Sequence, residues 1–288
     1  MEPIEAVKTE PTQEPGRGVD MPDGESPPAL SVVIPAYNEA DRLPATLTAV
    51  IEFLRTRDYS WEIIVADDGS EDATPAIASA AALAPTVRHL RLPHRGKAAT
   101  VRDGVLAAEG DVVVFTDADL STPIAYVDRV RDLIASGWEV VIGTREGAGA
   151  RRLGEPFYRH LMGRAYNYAV RLLVVRGISD TQCGFKAFRR QVARDLFTRS
   201  RLYRDTSGAL RGPLVTGFDV EILFLARKGR YRMCELPVTW HHVAGSKVRP
   251  GLDALLMLRD VLNVRVNDLR RRYSTETRAD AGCAERGV

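Results

Sequence analysis

The pattern of apolar and polar positions changes sharply at Leu30. Residues 1–29 are rich in Pro, Glu, Gly and Asp with almost no apolar periodicity, a composition expected to stay disordered. Leu30-Ser31-Val32-Val33-Ile34 is then a short β-branched run, the pattern of a buried strand, and Pro35 is expected to stop it. Asn38 to Arg57 places Leu43, Leu47, Val50, Ile51 and Leu54 at helical spacing. Trp61 to Ala66 predicts a second strand, ended by Asp67-Asp68-Gly69-Ser70, and Asp72 to Leu83 an alanine-rich helix. Val87 to Leu92 (strand), Lys97 to Ala108 (helix), Asp111 to Thr116 (strand), Val127 to Ser136 (helix) and Glu139 to Gly143 (strand) continue the series. Such alternation predicts an α/β fold with a parallel sheet covered by helices on both faces.

The second half reads differently. Phe157 to Val175 predicts a long helix with arginines on one side, and Gly217 to Arg227 a helix of mixed apolar and acidic character. Met233 to Trp240 is strand-like. Leu252 to Leu269 predicts a helix whose apolar residues include Leu252, Leu255, Leu256, Val261, Leu262 and Val266, followed by Arg270-Arg271-Arg272. The expected organisation is a tail over 1–29, one domain over 30–250, an amphipathic basic helix over 251–273 and a loose tail over 274–288. The apolar stripe of the last helix suits either a membrane surface or the core.

The bulk numbers narrow the partners. A chain of 288 residues holds one large α/β domain or two small ones. A formal net charge of +2 gives no sign of a nucleic-acid binder. The charge is unevenly placed, though. Arg145, Arg151, Arg152, Arg159 and Arg164 fall close together, and Arg265 and Arg270 to Arg272 cluster near the end. Such patches suit phosphate groups or an anionic membrane. Cys183, Cys234 and Cys283 are odd in number and fit no metal-site spacing, which points to a reducing compartment. The N-terminus has no signal-peptide pattern and no apolar run approaches a membrane span. The expected location is therefore cytoplasmic, with any membrane contact made peripherally from the cytoplasmic face. The sequence does not fix the oligomeric state.

In an open parallel sheet, ligands sit beyond the carboxyl ends of the strands. Four polar segments fall there: Pro35-Ala36-Tyr37-Asn38-Glu39, Asp67-Asp68-Gly69-Ser70, Gly96-Lys97 and Asp117-Ala118-Asp119. Residues i and i+2 of an extended chain project to one side, so Asp117 and Asp119 are expected to share a hard divalent cation that bridges phosphate oxygens. Asp68 is placed to accept from a nucleobase or ribose, Tyr37 to stack on a base and Glu39 to reach the ribose. Lys97, after Gly96 near a helix start, suits a phosphate. Ser70 and Asp72 also fit as caps of the alanine-rich helix.

These four motifs, in this order, resemble a family 2 glycosyltransferase of the GT-A fold, a Rossmann-like, mostly parallel central sheet flanked by helices. Asp117 runs on through Leu120-Ser121-Thr122-Pro123, as that resemblance expects. Asp180-Thr-Gln-Cys-Gly-Phe-Lys186, Phe218-Asp-Val-Glu221 and Gly245-Ser-Lys247 are similar to the dolichyl-phosphate glucosyltransferase branch. The resemblance spans roughly residues 30 to 250. It implies a donor site of Pro35, Ala36, Tyr37, Glu39, Asp68, Gly69, Lys97, Asp117, Ala118 and Asp119, with Mg²⁺ or Mn²⁺ on Asp117 and Asp119. It implies an acceptor site drawn from Arg145, Arg159, Gln182, Cys183, Lys186, Asp219 and Lys247. Asp117, Asp119, Lys97 and Arg145 would carry the chemistry. One departure is Ser121, where related polyprenol-phosphate mannosyltransferases often carry Gln, which weakens the case for a metal contact from that position. His241-His242, between Trp240 and Gly245, suits either a contact to the metal or diphosphate or a polar loop.

The expected reaction is inverting transfer of a hexose, glucose favoured, from a nucleoside-diphosphate sugar, UDP-glucose favoured, to a polyprenyl or dolichyl phosphate. A phosphate monoester is already largely dianionic near neutrality, with a second pKa of ~6, and needs positioning rather than a base. The alternatives are a GDP-mannose donor, a sugar-hydroxyl acceptor with Asp219 or Glu221 as base, and a silent nucleotide-binding protein. No G-x-G-x-x-G follows the first strand, which argues against a dinucleotide-binding dehydrogenase.

Overall fold

The structure is a computed structural model that describes residues 27–154, 170, 177–203, 217–243 and 252–273. The helix expected over Phe157 to Val175 lies outside the described residues except for Val170, as do Arg159, Arg164, Lys247 and Cys283.

The elements are β1 (Leu30–Ala36), α1 (Leu43–Arg55), β2 (Trp61–Asp67), α2 (Thr74–Ala81), β3 (Val87–Arg91), α3 (Lys97–Ala107), β4 (Val112–Phe115), α4 (Tyr126–Ala135), β5 (Val140–Thr144) and β6 (Arg151–Leu153). They continue with β7 (Lys186–Arg189), α5 (Arg190–Arg199), α6 (Phe218–Lys228), β8 (Met233–Pro237), β9 (Thr239–His241) and α7 (Leu252–Leu269). A seven-stranded sheet runs in the order β3-β2-β1-β4-β7-β5-β8. All its pairs are parallel except those of β7, which runs antiparallel to β4 and β5. The sheet is therefore mostly parallel rather than wholly so. β7 and α5 were not anticipated, because Lys186-Ala-Phe-Arg189 is only four residues long and carries charge at both ends.

Burial on both faces explains the β-branched runs. Val32 and Ile34 join the core under α1 and α4, while Val33 joins the opposite core with Val101, Phe115, Phe188 and Leu223. Alternate residues of one strand thus enter two cores, every position is buried, and all but Ser31, which donates to Glu62, are apolar. Pro35 does not end β1 but sits within it. The Val33 carbonyl accepts from Thr116 on the β4 side, so Pro35 turns its nitrogen to that side, beyond the last β1–β4 pair, Val33↔Phe115. A proline there costs no ladder bond.

The strand order departs in opposite directions from β1: toward β2 and β3 on one side, toward β4 on the other. Their carboxyl ends open the crevice in which such sheets take ligands. The apolar stretch from Met233 to Trp240, expected to be one strand, is two. β8 pairs with β5, and after Val238 the chain crosses to pair β9 with β6 in a separate two-stranded sheet.

The C-terminal helix is stitched to the domain by buried polar groups. Val261, Val264 and Tyr273 lie in the same core as α6, and Asp260 accepts from the Gly217 N–H at 2.9 Å and the Tyr203 hydroxyl. The Glu221 carboxylate, 1% exposed, accepts from the Tyr273 hydroxyl at 2.6 Å, Arg201 N at 2.9 Å and Leu202 N at 3.0 Å. Burial pushes the Glu221 carboxyl above its ordinary range, opposed by these hydrogen bonds. Tyr273→Phe keeps the ring against Phe224 but leaves a buried carboxylate one donor short. The expected cost is about 1–3 kcal/mol of folding stability, read as a lower urea midpoint with an unchanged slope.

Candidate active site

The loops at the carboxyl edge are tied to one another by side chains. Asn38, with φ +51°, donates its N–H to Ser70 Oγ at 2.9 Å and accepts from Glu71 N at 2.9 Å through Oδ1. Glu39 N donates to Thr74 Oγ1 at 2.8 Å and Ala40 N to Asp72 Oδ2 at 3.1 Å. Ser70 and Asp72 therefore brace the β1–α1 loop. Asp72 accepts from Thr74 N as well, but no side chain caps α2 at its N-cap, Ala73. Asp67 turns the loop back by accepting from Ser70 N at 3.0 Å.

Asp68 does for the next loop what was expected to be done for a ligand. Its carboxylate, 3% exposed, accepts from Arg95 N at 2.8 Å and Gly96 N at 2.9 Å, and His94 Nδ1 stands 2.9 Å from Oδ2. Asp68 thus holds the start of α3 in position. The sequence could not show this, because the partners, two backbone N–H groups and one imidazole, lie 26 to 28 residues away. The His94 ring in turn lies flat on Tyr37, centroids 4.0 Å apart and planes within 6°. Gly69, at φ +66°, allows the approach: a Cβ there would stand 2.8 Å from His94 N. Pro35, Ala36, Tyr37 and Glu39 thus meet Asp68 and Gly69 along one rim.

At the end of β4, Asp117-Ala118-Asp119 is a turn, not extended chain. Leu120 N donates to the Asp117 carbonyl at 3.1 Å, Leu120 has φ +45°, and Ser121 N donates to Asp119 Oδ1 at 3.0 Å. The two carboxylates share a turn rather than a strand face. The Ala118 carbonyl accepts from Thr46 Oγ1 at 2.5 Å, which fastens the turn to α1. Lys97, the first residue of α3, reaches across with its Nζ 2.5 Å from Asp117 Oδ1. Desolvation works against the ammonium charge, but Asp117 first, then Asp219 and Asp119, raise its pKa above the ordinary lysine value. Opposite lies bare backbone: a Cβ on Gly184 would fall 2.0 Å from Asp117 Oδ2. Ser121 contributes backbone here, with its carbonyl accepting from His241 N at 2.8 Å, so β9 runs beside the turn.

The donor set at this turn fits a hard cation. Asp117 and Asp119 are half-buried, and among the described residues their Oδ2 atoms accept no hydrogen bond. No group of three metal-capable side chains forms among the described residues, so most of a cation's oxygen shell would come from a bound diphosphate and water.

The residues expected to meet the acceptor take distinct places in the structure. The Arg145 guanidinium does not face outward to a phosphate as expected. It forks onto the fully buried Asp180, Nε to Oδ2 at 2.6 Å and Nη2 to Oδ1 at 2.9 Å, and its backbone N–H adds a third bond at 3.1 Å. Burial alone would raise the Asp180 carboxyl, yet Arg145 and then Arg152 hold it well below the usual carboxylate range. Lys186 is buried, donating to Asp219 Oδ1 at 2.6 Å and to the Cys183 carbonyl at 2.5 Å. Cys183 is a core residue: its thiol is fully buried, burial pushes its pKa up, and its side chain offers nothing to an acceptor. Gln182 N donates to Asp180 Oδ1 at 3.1 Å, and the buried Gln182 Nε2 finds no partner among the described residues. Glu221, the alternative base, is enclosed by Tyr273 and the chain after α5, and cannot act on a substrate. Asp180, His94, Gly184 and Thr46 went unnoticed in the sequence as site residues. Asp180 lies inside the Asp180–Lys186 motif, but nothing local reveals a partner 35 residues away.

A mostly parallel sheet with helices packed on it and a carboxylate turn at its switch point is the architecture of the GT-A glycosyltransferases. Residues 31–197 match the model of glycosyl transferase family 2, and the chain belongs to that family. It is 36% identical over 269 residues to a dolichyl-phosphate beta-glucosyltransferase of Drosophila melanogaster, covering 87% of this chain and 79% of the relative. It is 32% identical over 262 residues to the one from Saccharomyces cerevisiae, covering 82% and 74%. Glucosyl-3-phosphoglycerate synthase from Mycobacterium tuberculosis, solved with Mn²⁺, UDP-glucose and phosphoglyceric acid, has a TM-score of 0.54 at 22% identity, covering 86% of this chain and 81% of that one. That likeness carries the fold.

Two substitutions test the geometry. Gly184→Ala should displace Asp117 by about 1 Å or more and lower turnover roughly 10²-fold, with the thermal midpoint little changed. Asp180 has a folded pKa below its unfolded one. Its contribution to stability is therefore fully present above pH ~4 and is lost as pH falls toward the depressed value. Asp180→Asn should flatten that acid limb of a stability–pH curve; an unaltered limb would remove the Arg145 pairing as its source.

Proposed function

We propose that this chain transfers a hexose, glucose favoured, from UDP-glucose to a polyprenyl or dolichyl phosphate, with inversion at the anomeric carbon. The observation that carries the proposal is the Lys97–Asp117 pair beside Asp119, at the switch point of a family 2 sheet. The names of the curated relatives support the sugar and the lipid.

In this reading the bond from the anomeric carbon to the diphosphate oxygen breaks, and an oxygen of the acceptor phosphate bonds to that carbon from the opposite face. Lys97, kept charged by its carboxylate neighbours, opposes the negative charge that builds on the leaving diphosphate. Mg²⁺ or Mn²⁺ on Asp117 and Asp119, when bound, would supply further neutralisation there. Tyr37, backed by His94, presents a fixed aromatic edge to the nucleoside, with Pro35, Ala36 and Glu39 beside it.

The acceptor side favours a nucleophile that arrives deprotonated. Asp219 is paired with Lys186 and Glu221 is enclosed, so neither is placed as a general base. A phosphate monoester needs none. Arg145, locked by Asp180, shapes the acceptor wall and lies 5.5 Å from the Trp240 ring centre, while Arg159 and Lys247 are proposed as direct phosphate contacts from their sequence positions.

The test is a matrix of UDP-glucose, UDP-galactose and GDP-mannose against a polyprenyl phosphate and soluble sugars, with Mg²⁺ or Mn²⁺. Glucose on the polyprenyl phosphate, abolished by chelation, is the expected product. Labelling from GDP-mannose alone would replace the donor, and labelling of a soluble sugar alone would sink the acceptor.

A further inference from the structure

Helix α7 has two faces. Asp260, Val261 and Val264 turn inward, onto α6 and the core. The opposite face carries Leu262 at 50%, Val266 at 40% and Leu269 at 77% exposure. These three sit at i, i+4 and i+7, which places them on one stripe of a helix. Three of the five large hydrophobic side chains exposed among the described residues lie on this stripe. At 100° per residue, Arg259 and Arg270 fall along one edge of it and Arg265 along the other. All three arginines are exposed, as are Arg271 and Arg272 in the turn that follows.

Among the described side chains of α7, the acidic ones do not interrupt this face. Asp260 is buried against Gly217 N and Tyr203. Asp268 is held by Lys228 of α6, with Arg265 3.7 Å away. Tyr273 closes the end by bonding Glu221, so the helix cannot turn its apolar stripe inward without breaking buried hydrogen bonds. No helix among the described residues is long and apolar enough to cross a membrane.

We infer that the Leu262–Val266–Leu269 face of α7, framed by Arg259, Arg265 and Arg270, docks the protein on an anionic lipid bilayer. A narrow apolar stripe with cations on both edges matches the boundary between acyl chains and anionic headgroups. A second protein helix would use the stripe but has no need of arginines on both sides. The inner side of the same helix is tied to the start of α6. Asp260, on the inner side of α7, accepts from the N–H of Gly217, the residue before α6, and Asp219 two residues on accepts from Lys186. One helix diameter of about 10 Å separates the docking stripe from that start. A lipid phosphate held in the bilayer would thus arrive near the acceptor side. The inference extends the proposed lipid acceptor but does not depend on the donor.

The experiment is co-sedimentation of the full chain with vesicles of phosphatidylcholine alone or containing phosphatidylglycerol, without substrate. The wild type should bind the phosphatidylglycerol vesicles preferentially and release them as salt is raised. The double variant Leu262→Glu/Val266→Glu should bind at least about tenfold more weakly. The triple variant Arg259→Gln/Arg265→Gln/Arg270→Gln should lose the preference for phosphatidylglycerol and the salt sensitivity. Both variants should keep the wild-type thermal midpoint and wild-type turnover on a short, water-soluble isoprenyl phosphate, while losing turnover on polyprenyl phosphate in vesicles. Indifference of the wild type to phosphatidylglycerol, or vesicle binding by the double variant equal to wild type, overturns the inference. So does a wild-type dimer that becomes monomeric in the double variant while vesicle binding is retained. Vesicle binding with no turnover on either acceptor would uphold the docking face and count against the proposed reaction alone.

Discussion

Three donors converge on the buried carboxylate of Asp68: the N–H groups of Arg95 and Gly96, and the His94 imidazole. That convergence sets the start of α3, because the Gly96 N–H it captures belongs to the residue before Lys97. Lys97 then extends to Asp117 on the far side of the crevice. The same His94 backs the Tyr37 ring. One carboxylate at the end of β2 therefore aligns the rim expected to hold the nucleoside with the lysine expected to meet the diphosphate. Its isolation from water makes each of these hydrogen bonds costly to lose.

Elsewhere, charge is buried in pairs. Arg145 with Asp180 and Lys186 with Asp219 each place a cation beside a carboxylate under the proposed acceptor side. Burying either partner alone would cost several kcal/mol, so each is strongly determined by the other. The consequence for chemistry is a wall that is shaped but not basic. That arrangement suits an acceptor which needs orientation more than proton removal.

The glycosyl transferase family 2 match ends at residue 197, yet the core does not. α6, β8 and α7 complete it, and the polar stitching of α7 to α6 through Asp260 and Glu221 holds one face of the last helix inward. The other face is left to solvent with its leucines and arginines in view. The apolar residues of α7 thus serve the core at Val261 and Val264 and the surface at Leu262 and Val266, and a one-dimensional pattern could not assign them.

The sequence alone determined the alternation of strands and helices and the four polar segments at the carboxyl edge. Strand burial and helical spacing are local periodicities, and motif residues stand close together in the chain. It also carried the family, through residues whose order is itself the signal. Only the tertiary structure decided what each polar group touches. Asp68 meets the backbone before α3, Arg145 meets Asp180, Lys186 meets Asp219, and Asp117-Ala118-Asp119 closes into a turn. The short antiparallel β7 was likewise decided by its neighbours, β4 and β5. In every case the partner lies 20 or more residues away, or is a backbone group with no signature of its own. Charge pairing and hydrogen bonding are set by proximity in space, which residue type and spacing do not encode.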